Sequence, residues 1–455
     1  MGKPTFGVTV LCCASLLALP LAAQQKPTEA AASAKLEDLV ALELDSLVGI
    51  YKHLHQNPEL SGQEKETAAL IAGELRQLGY EVTENFGTYD DGQKAYGVVA
   101  VMRNGAGPTV LVRTDMDALP VEERTDLPYA SRVKAHIGDI EVGVMHACGH
   151  DLHMTAFLGT ARVLAKLRSQ WSGTVVMIGQ PAEERVGGAK AMLRAGLYTR
   201  FPRPDYAVAL HDSAVVPAGK VAWKEGPMLA SSDSVDITIR GAGGHGAAPH
   251  QTKDPIVIAS QVVLALQTIV SREIDPLDAA VVTVGSFHAG TKHNIIPDEA
   301  HLQLTVRAYR PETRAKVLAS IRRITEGIAA AAGVPSDRAP IVRVDEKEGA
   351  PPTINDSALA RRVGATLERA LGKENVLPAE QIMAAEDFSL FGLTPEKVPI
   401  TMFWLGAAAP EQLRVAQETG ARLPGLHSSE FVPLPEPAIR SGVRAMTSVV
   451  LDLLR

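Results

Sequence analysis

Nine consecutive positions, Met145 to His153, read M-H-A-C-G-H-D-L-H and gather three histidines, a cysteine and an aspartate. Imidazole and thiolate bind zinc and similar divalent ions, and a carboxylate completes a site that must stay reactive. A lone histidine is more often structural, but His146, Cys148, His150 and His153 in one stretch point to a metal centre; spacing alone leaves open which of the four bind. Q-P-A-E-E, Gln180 to Glu184, follows an apolar run and offers the other half of that chemistry. Adjacent side chains in extended backbone point to opposite sides, which predicts one glutamate on metal and its neighbour toward a substrate water as general base. R-T-D-M-D-A-L-P, Arg113 to Pro120, adds a second acidic cluster.

Those residues need elements to carry them. Helical spacing of apolar residues predicts helices over 36–55, 64–78 and 155–166, and β-branched runs bounded by Gly, Pro or Asn predict strands over 97–102, 109–113 and 174–179. This alternation predicts a mainly parallel sheet covered on both faces, with the metal stretch at a strand-loop-helix mouth. Near Pro227 the pattern changes. A strand over 234–240, a helix over 255–272, strands over 280–287 and 301–309, a helix over 311–332 and a strand over 341–345 give the order β-α-β-β-α-β, a small antiparallel sheet with both helices on one face. The expected organisation is a catalytic domain in two parts, 36–227 and 351–455, interrupted by an α+β domain over 228–350.

The chain of 455 residues is long enough for two cores, and its net charge of −7 without a basic cluster argues against nucleic acid or an anionic membrane as partner. Lys3, the apolar run from Phe6 to Pro20 and the small Ala22 and Ala23 resemble a signal peptide over 1–23, cut near Gln24, with an uncleaved anchor as the alternative. Removal would take Cys12 and Cys13, leaving Cys148 as the single thiol and a periplasmic or secreted protein free of the membrane.

In chain order, R-T-D-M-D-A-L-P, H-A-C-G-H-D-L-H, Q-P-A-E-E, G-G-H-G-A-A-P-H, H-N-I-I-P-D, A-E-D-F and L-H-S-S-E-F resemble the M20 metallopeptidase family, in its amidohydrolase branch of hippurate hydrolases, N-acyl-amino-acid amidohydrolases and auxin-conjugate hydrolases. The resemblance covers the chain from about Leu44 onward. It implies two divalent metal ions (Zn, Mn, Co or Ni) on Cys148, His150, Glu184, His211 and His427, with Glu183 as general base and Asp117 orienting a ligand. It implies that the inserted domain is a lid and dimerisation domain whose His245 stabilises the oxyanion, and that Asn294 and Arg307 grip a substrate carboxylate. The expected enzyme is a homodimeric metal-dependent amidohydrolase that cleaves N-acyl amino acids through a metal-activated water. A dipeptidase or carboxypeptidase acting on small peptides is the alternative, and a catalytically silent metal-dependent binding protein is the rival from another class.

Overall fold

A computed structural model describes residues 1–5, 7 and 29–455. The expected leader, Cys12 and Cys13 included, lies outside the described residues apart from 1–5 and 7. The larger sheet has eight strands, in the order Glu81–Thr83, Val98–Asn104, Gly173–Gln180, Thr109–Asp115, Tyr206–Pro217, Ile400–Ala408, Val221–Trp223 and Val376–Pro378. Its central strands, Gly173–Gln180 to Ile400–Ala408, run parallel, and antiparallel pairings appear toward both edges.

The central strands are apolar on both sides because both faces are covered. Val98, Ala100, Met102, Val110, Val112, Val175 and Met177 pack in one core with the helices Glu29–Gln56, His150–Lys166 and Pro435–Leu453. Their neighbours Val99, Val101, Leu111, Val176 and Ile178 belong to a second core with Met192, Phe388 and Phe391. This period of two in a continuous hydrophobic run is how a sheet buried on both faces is written.

The second sheet is fully antiparallel, in the order Ala280–Ala289, Glu299–Ala308, Ser232–Arg240 and Ile341–Ala350. Helices Pro255–Thr268 and Pro311–Ala331 share its core through Ile258, Val262, Leu266, Val317 and Ile321. The strands Gly226–Leu229 and Thr353–Asn355 on either side of this unit pair with each other, so the chain leaves and returns at one place. Among the described residues one segment, Pro255–Glu273, is long and apolar enough to cross a membrane, yet one of its faces packs on the antiparallel sheet.

Several boundaries differ from the sequence expectation in ways that bear on the site. The helix after the metal stretch opens at His150 instead of Thr155, so His150 and His153 belong to its first turns and not to a loop. The strand that carries His211 runs from Tyr206 to Pro217, because it pairs with Ile400–Ala408 through His211 and beyond. Glu183 and Glu184 lie in a turn, not in extended backbone.

Candidate metal centre

Gly149 makes the helix start possible. It sits at a left-handed φ of 72°, and a Cβ there would come within 2.5 Å of the Asp212 carboxylate. Only glycine combines that backbone with that approach. The turn puts Cys148 just before the helix and His150 at its first position, both buried.

Hydrogen bonds then decide which ring nitrogens remain. His150 donates from Nδ1 to the carbonyl of Asp117 at 2.8 Å, which turns Nε2 toward the acidic residues with no hydrogen-bond partner. That nitrogen lies 3.8 Å from both Glu183 Oε2 and Glu184 Oε1, so the turn brings the two glutamates to the same place. His211 donates from Nδ1 to the carbonyl of Asp212 at 2.9 Å, leaving its Nε2 3.6 Å from Cys148 Sγ. His427 Nε2 stands 3.3 Å from that sulfur and 3.5 Å from Glu184 Oε1. His427 itself adopts a left-handed φ of 66°, and its N–H is tied to Ala147 at 2.8 Å. A non-glycine residue held there is backbone strain at a site, a pattern that marks function.

The other two histidines of the stretch are disposed of differently. His153 accepts from the Asp212 N–H at Nε2 (2.7 Å) and donates from Nδ1 to Asp115 (2.7 Å), so it braces the donors and has no nitrogen to spare. His146 is buried with both ring nitrogens unpartnered, and burial depresses it to about 4. Asp117 accepts the Glu184 N–H at 3.0 Å through its carboxylate while its carbonyl fixes His150. Asp115 is held by Arg113 at 2.7 Å, and the same buried guanidinium bridges to Glu386 at 2.7 Å and Asp387 at 3.3 Å. The A-E-D-F motif is thus a buried anchor behind the donors.

The electrostatics fit a cation. Burial, then Glu386 and Glu184, push Glu183 well above the carboxylate range, and burial lifts Glu184 to about 7. Burial and the nearby Glu184 and Asp212 also push the Cys148 thiol up. A divalent ion among these groups would reverse each shift, since a coordinating thiol gives up its proton and carboxylates ionise beside positive charge. The donor atoms of Cys148, His150 and His211, of Cys148, Glu184 and His427, and of His150, Glu183 and Glu184 converge closely enough to hold one.

A cleft of about 460 Å³ opens on these donors, lined also by Arg307 and by Leu229, Ile382, Met383, Trp404 and Leu426. Trp404 stands against the ring of His211, with centroids 5.6 Å apart. Sequence reading missed it, and its only signal was its place in a strand beside the one that carries His211. His245 and Asn294 are not brought to the donors. They lie exposed on the second unit, where His245 pairs with Ile295 in a two-stranded ribbon and the carbonyl of Asn294 accepts the Gly246 N–H at 2.9 Å.

The sequence profile of peptidase family M20/M25/M40 matches residues 111–419, a span that takes in all of these donors except His427. This chain belongs to the M20 peptidase family. It is a metal-dependent hydrolase. A thermostable carboxypeptidase of Saccharolobus solfataricus is 38% identical over 404 residues, 88% of this chain and 93% of its own. A hippurate hydrolase of Campylobacter jejuni is 40% identical over 344 residues, 75% of this chain and 84% of its own. The crystal structure of YxeP from Bacillus subtilis, a dinuclear metal-binding M20 peptidase, superposes with a TM-score of 0.72 at 30% identity, covering 91% of this chain and 99% of that one.

Proposed function

We propose that this M20 hydrolase cleaves the amide bond between an acyl group and an amino acid with a free α-carboxylate. The observation that carries the reading is Arg307, a half-buried guanidinium that makes no hydrogen bond or ion pair among the described residues and lines the same cleft as the metal donors. A planar fork of donors suits a carboxylate, and Arg307 shares one cleft with the groups that would act on the amide. The apolar wall of Leu229, Ile382, Met383 and Trp404 suits an acyl group.

Cys148, His150, Glu184, His211 and His427 would hold two divalent ions, and their mixed thiolate, imidazole and carboxylate character accepts zinc, manganese, cobalt or nickel. When bound, such ions polarise the carbonyl and lower the pKa of water. Glu183 takes the proton of the attacking water and returns it to the leaving amine. Arg307 fixes the carboxylate, and Asn294 joins it when the second unit closes. His245 then supplies a hydrogen bond to the developing oxyanion.

A homodimer is part of the proposal. Val257, Leu264 and Val270 of the segment Pro255–Glu273 are exposed, Leu264 to 72%, and an apolar face of this kind is suited to a second copy. The apolar run near the N-terminus supports export to the periplasm or medium.

A carboxypeptidase reading is favoured by one observation, the Saccharolobus solfataricus relative, since Arg307 would grip a peptide's terminal carboxylate equally well. The two separate on a panel of N-acyl amino acids and matching unblocked dipeptides, with amino acid release followed with and without a chelator. Chelator-sensitive release that favours the acylated compounds is the expected result. Faster release from the dipeptides would move the assignment to a peptidase.

A further inference from the structure

The break N-P-E-L-S after the first helix, and Glu64 just beyond it, take no part in the chemistry above, yet they reach the centre of it. Glu59 caps the helix Lys65–Gln77 by accepting from the N–H groups of Glu66 (3.1 Å) and Thr67 (2.7 Å). Leu60 bridges to Ala118, and Ser61 donates to Asp117 at 2.5 Å, on the oxygen that also receives the Glu184 N–H. Glu64 is wholly buried. Its Oε1 accepts from Gly62 N–H at 2.7 Å and from Ala182 N–H at 2.8 Å.

Ala182 is the residue before Glu183, and its backbone is left-handed, with φ 47°. That conformation costs an alanine roughly 1 kcal/mol and persists only where its surroundings fix it. The carbonyl of Ala182 accepts from Gly187 and Gly188, both at 3.1 Å, and Val186 N–H closes the turn onto the Glu183 carbonyl at 2.7 Å. Glu64 therefore holds the one amide through which the turn is entered. A rotation of the peptide between Pro181 and Ala182 would swing the Glu183 carboxylate away from the donors.

We propose that Glu64 is a positioning residue for Glu183: its buried Oε1, bonded to the Ala182 N–H, holds the left-handed entry to the turn that aims the base. The inference rests on Glu183 being the base. It requires an acceptor at that place and not a charge, so an amide oxygen serves as well.

Steady-state and single-turnover kinetics on an N-acyl amino acid test it, with metal content measured in parallel. Glu64→Ala is expected to lower kcat about 100-fold with KM and metal content little changed, and Glu64→Gln to stay within about threefold of the parent. In a Glu183→Gln background, Glu64→Ala should produce no further loss, because its effect passes through that carboxylate. Should the alanine variant fail to fold, Glu64→Asp, which keeps the acid and shortens its reach, is expected to show the same loss of kcat. An unchanged kcat in Glu64→Ala beside an inactive Glu183→Gln would overturn the positioning role alone. Independent, multiplying losses in the double variant would overturn it too, by showing that Glu64 acts on the metals or the fold. Full activity of Glu183→Gln would reject the base assignment, a separate failure read from the single variant.

Discussion

In the parallel-sheet region, Cys148, His150 and His211 are buried, and each of the two rings is fixed by a hydrogen bond to a backbone carbonyl. On the antiparallel unit, His245 is exposed and its ring accepts one local bond, from Ala247 N–H at 3.0 Å. The first region is finished within the fold, with anchors behind anchors: Asp117 behind His150, Ser61 behind Asp117, Arg113 behind Asp115. The second presents His245 and Asn294 to solvent. The first region is preorganised for charge, and the proposed function assigns the second its geometry through closure of that unit.

The sharpest way to break this contrast is at the preorganised end. Glu183→Gln should lose turnover by about 10³-fold or more while binding metal as the parent does, because the amide keeps the shape and cannot take the proton. Retained activity, with metal content equal to the parent's, would mean that the base lies elsewhere.

His245→Asn probes the other end. A kcat lower by about 100-fold with metal content unchanged is expected, the cost of one oxyanion donor. An unchanged kcat would confine the chemistry to the parallel-sheet region. Arg307→Ala comes next: KM for an N-acyl amino acid should rise about tenfold, while the corresponding amino acid amide, which lacks the carboxylate, should be little affected. Equal losses on both compounds would remove Arg307 from carboxylate binding.

How far the contrast could be read from sequence follows the same division. The parallel core was legible because runs such as Val98–Met102 and Val175–Ile178 must be apolar on both faces, and the small unit because its strands and helices alternate in a recognisable order. Cys148, His150 and the paired glutamates stood out by type and spacing. What could not be read is what depends on pairing or on distant residues. The three-residue strands Val221–Trp223 and Val376–Pro378 exist because they pair with each other and the first of them also with Ile400–Ala408. The bond from Arg113 to Glu386 joins positions 273 apart in sequence. The backbone of Ala182, at the entry to the turn that carries Glu183, has no sequence signature, since nothing about alanine announces a left-handed φ.

A quieter prediction concerns the ion pair that ties the first helix to the start of the metal-bearing one. His55 is buried between Asp151 Oδ2 at 2.6 Å and Glu123 Oε1 at 3.3 Å, and Asp151 adjoins His150. Burial works against charge on the ring, but the hydrogen bonds to Asp151 and Glu123 overcome it and raise its pKa from 6.5 to about 10. A folded pKa above the unfolded one means that the charged pair stabilises fully below about pH 6.5 and loses its contribution as pH climbs toward 10. Breaking such a pair leaves a buried charge without its partner, so His55→Gln should cost about 3 kcal/mol at pH 6. Because His55 touches none of the proposed metal donors, kcat at a temperature where both proteins are folded should change little. Urea denaturation of parent and variant at pH 6 and pH 9.5 reads the difference directly. A gap that narrows at the higher pH supports the charged brace; one that stays constant would mean that His55 stabilises the junction by packing against Tyr51 and Tyr129, whose rings lie 5.6 and 5.4 Å from its own.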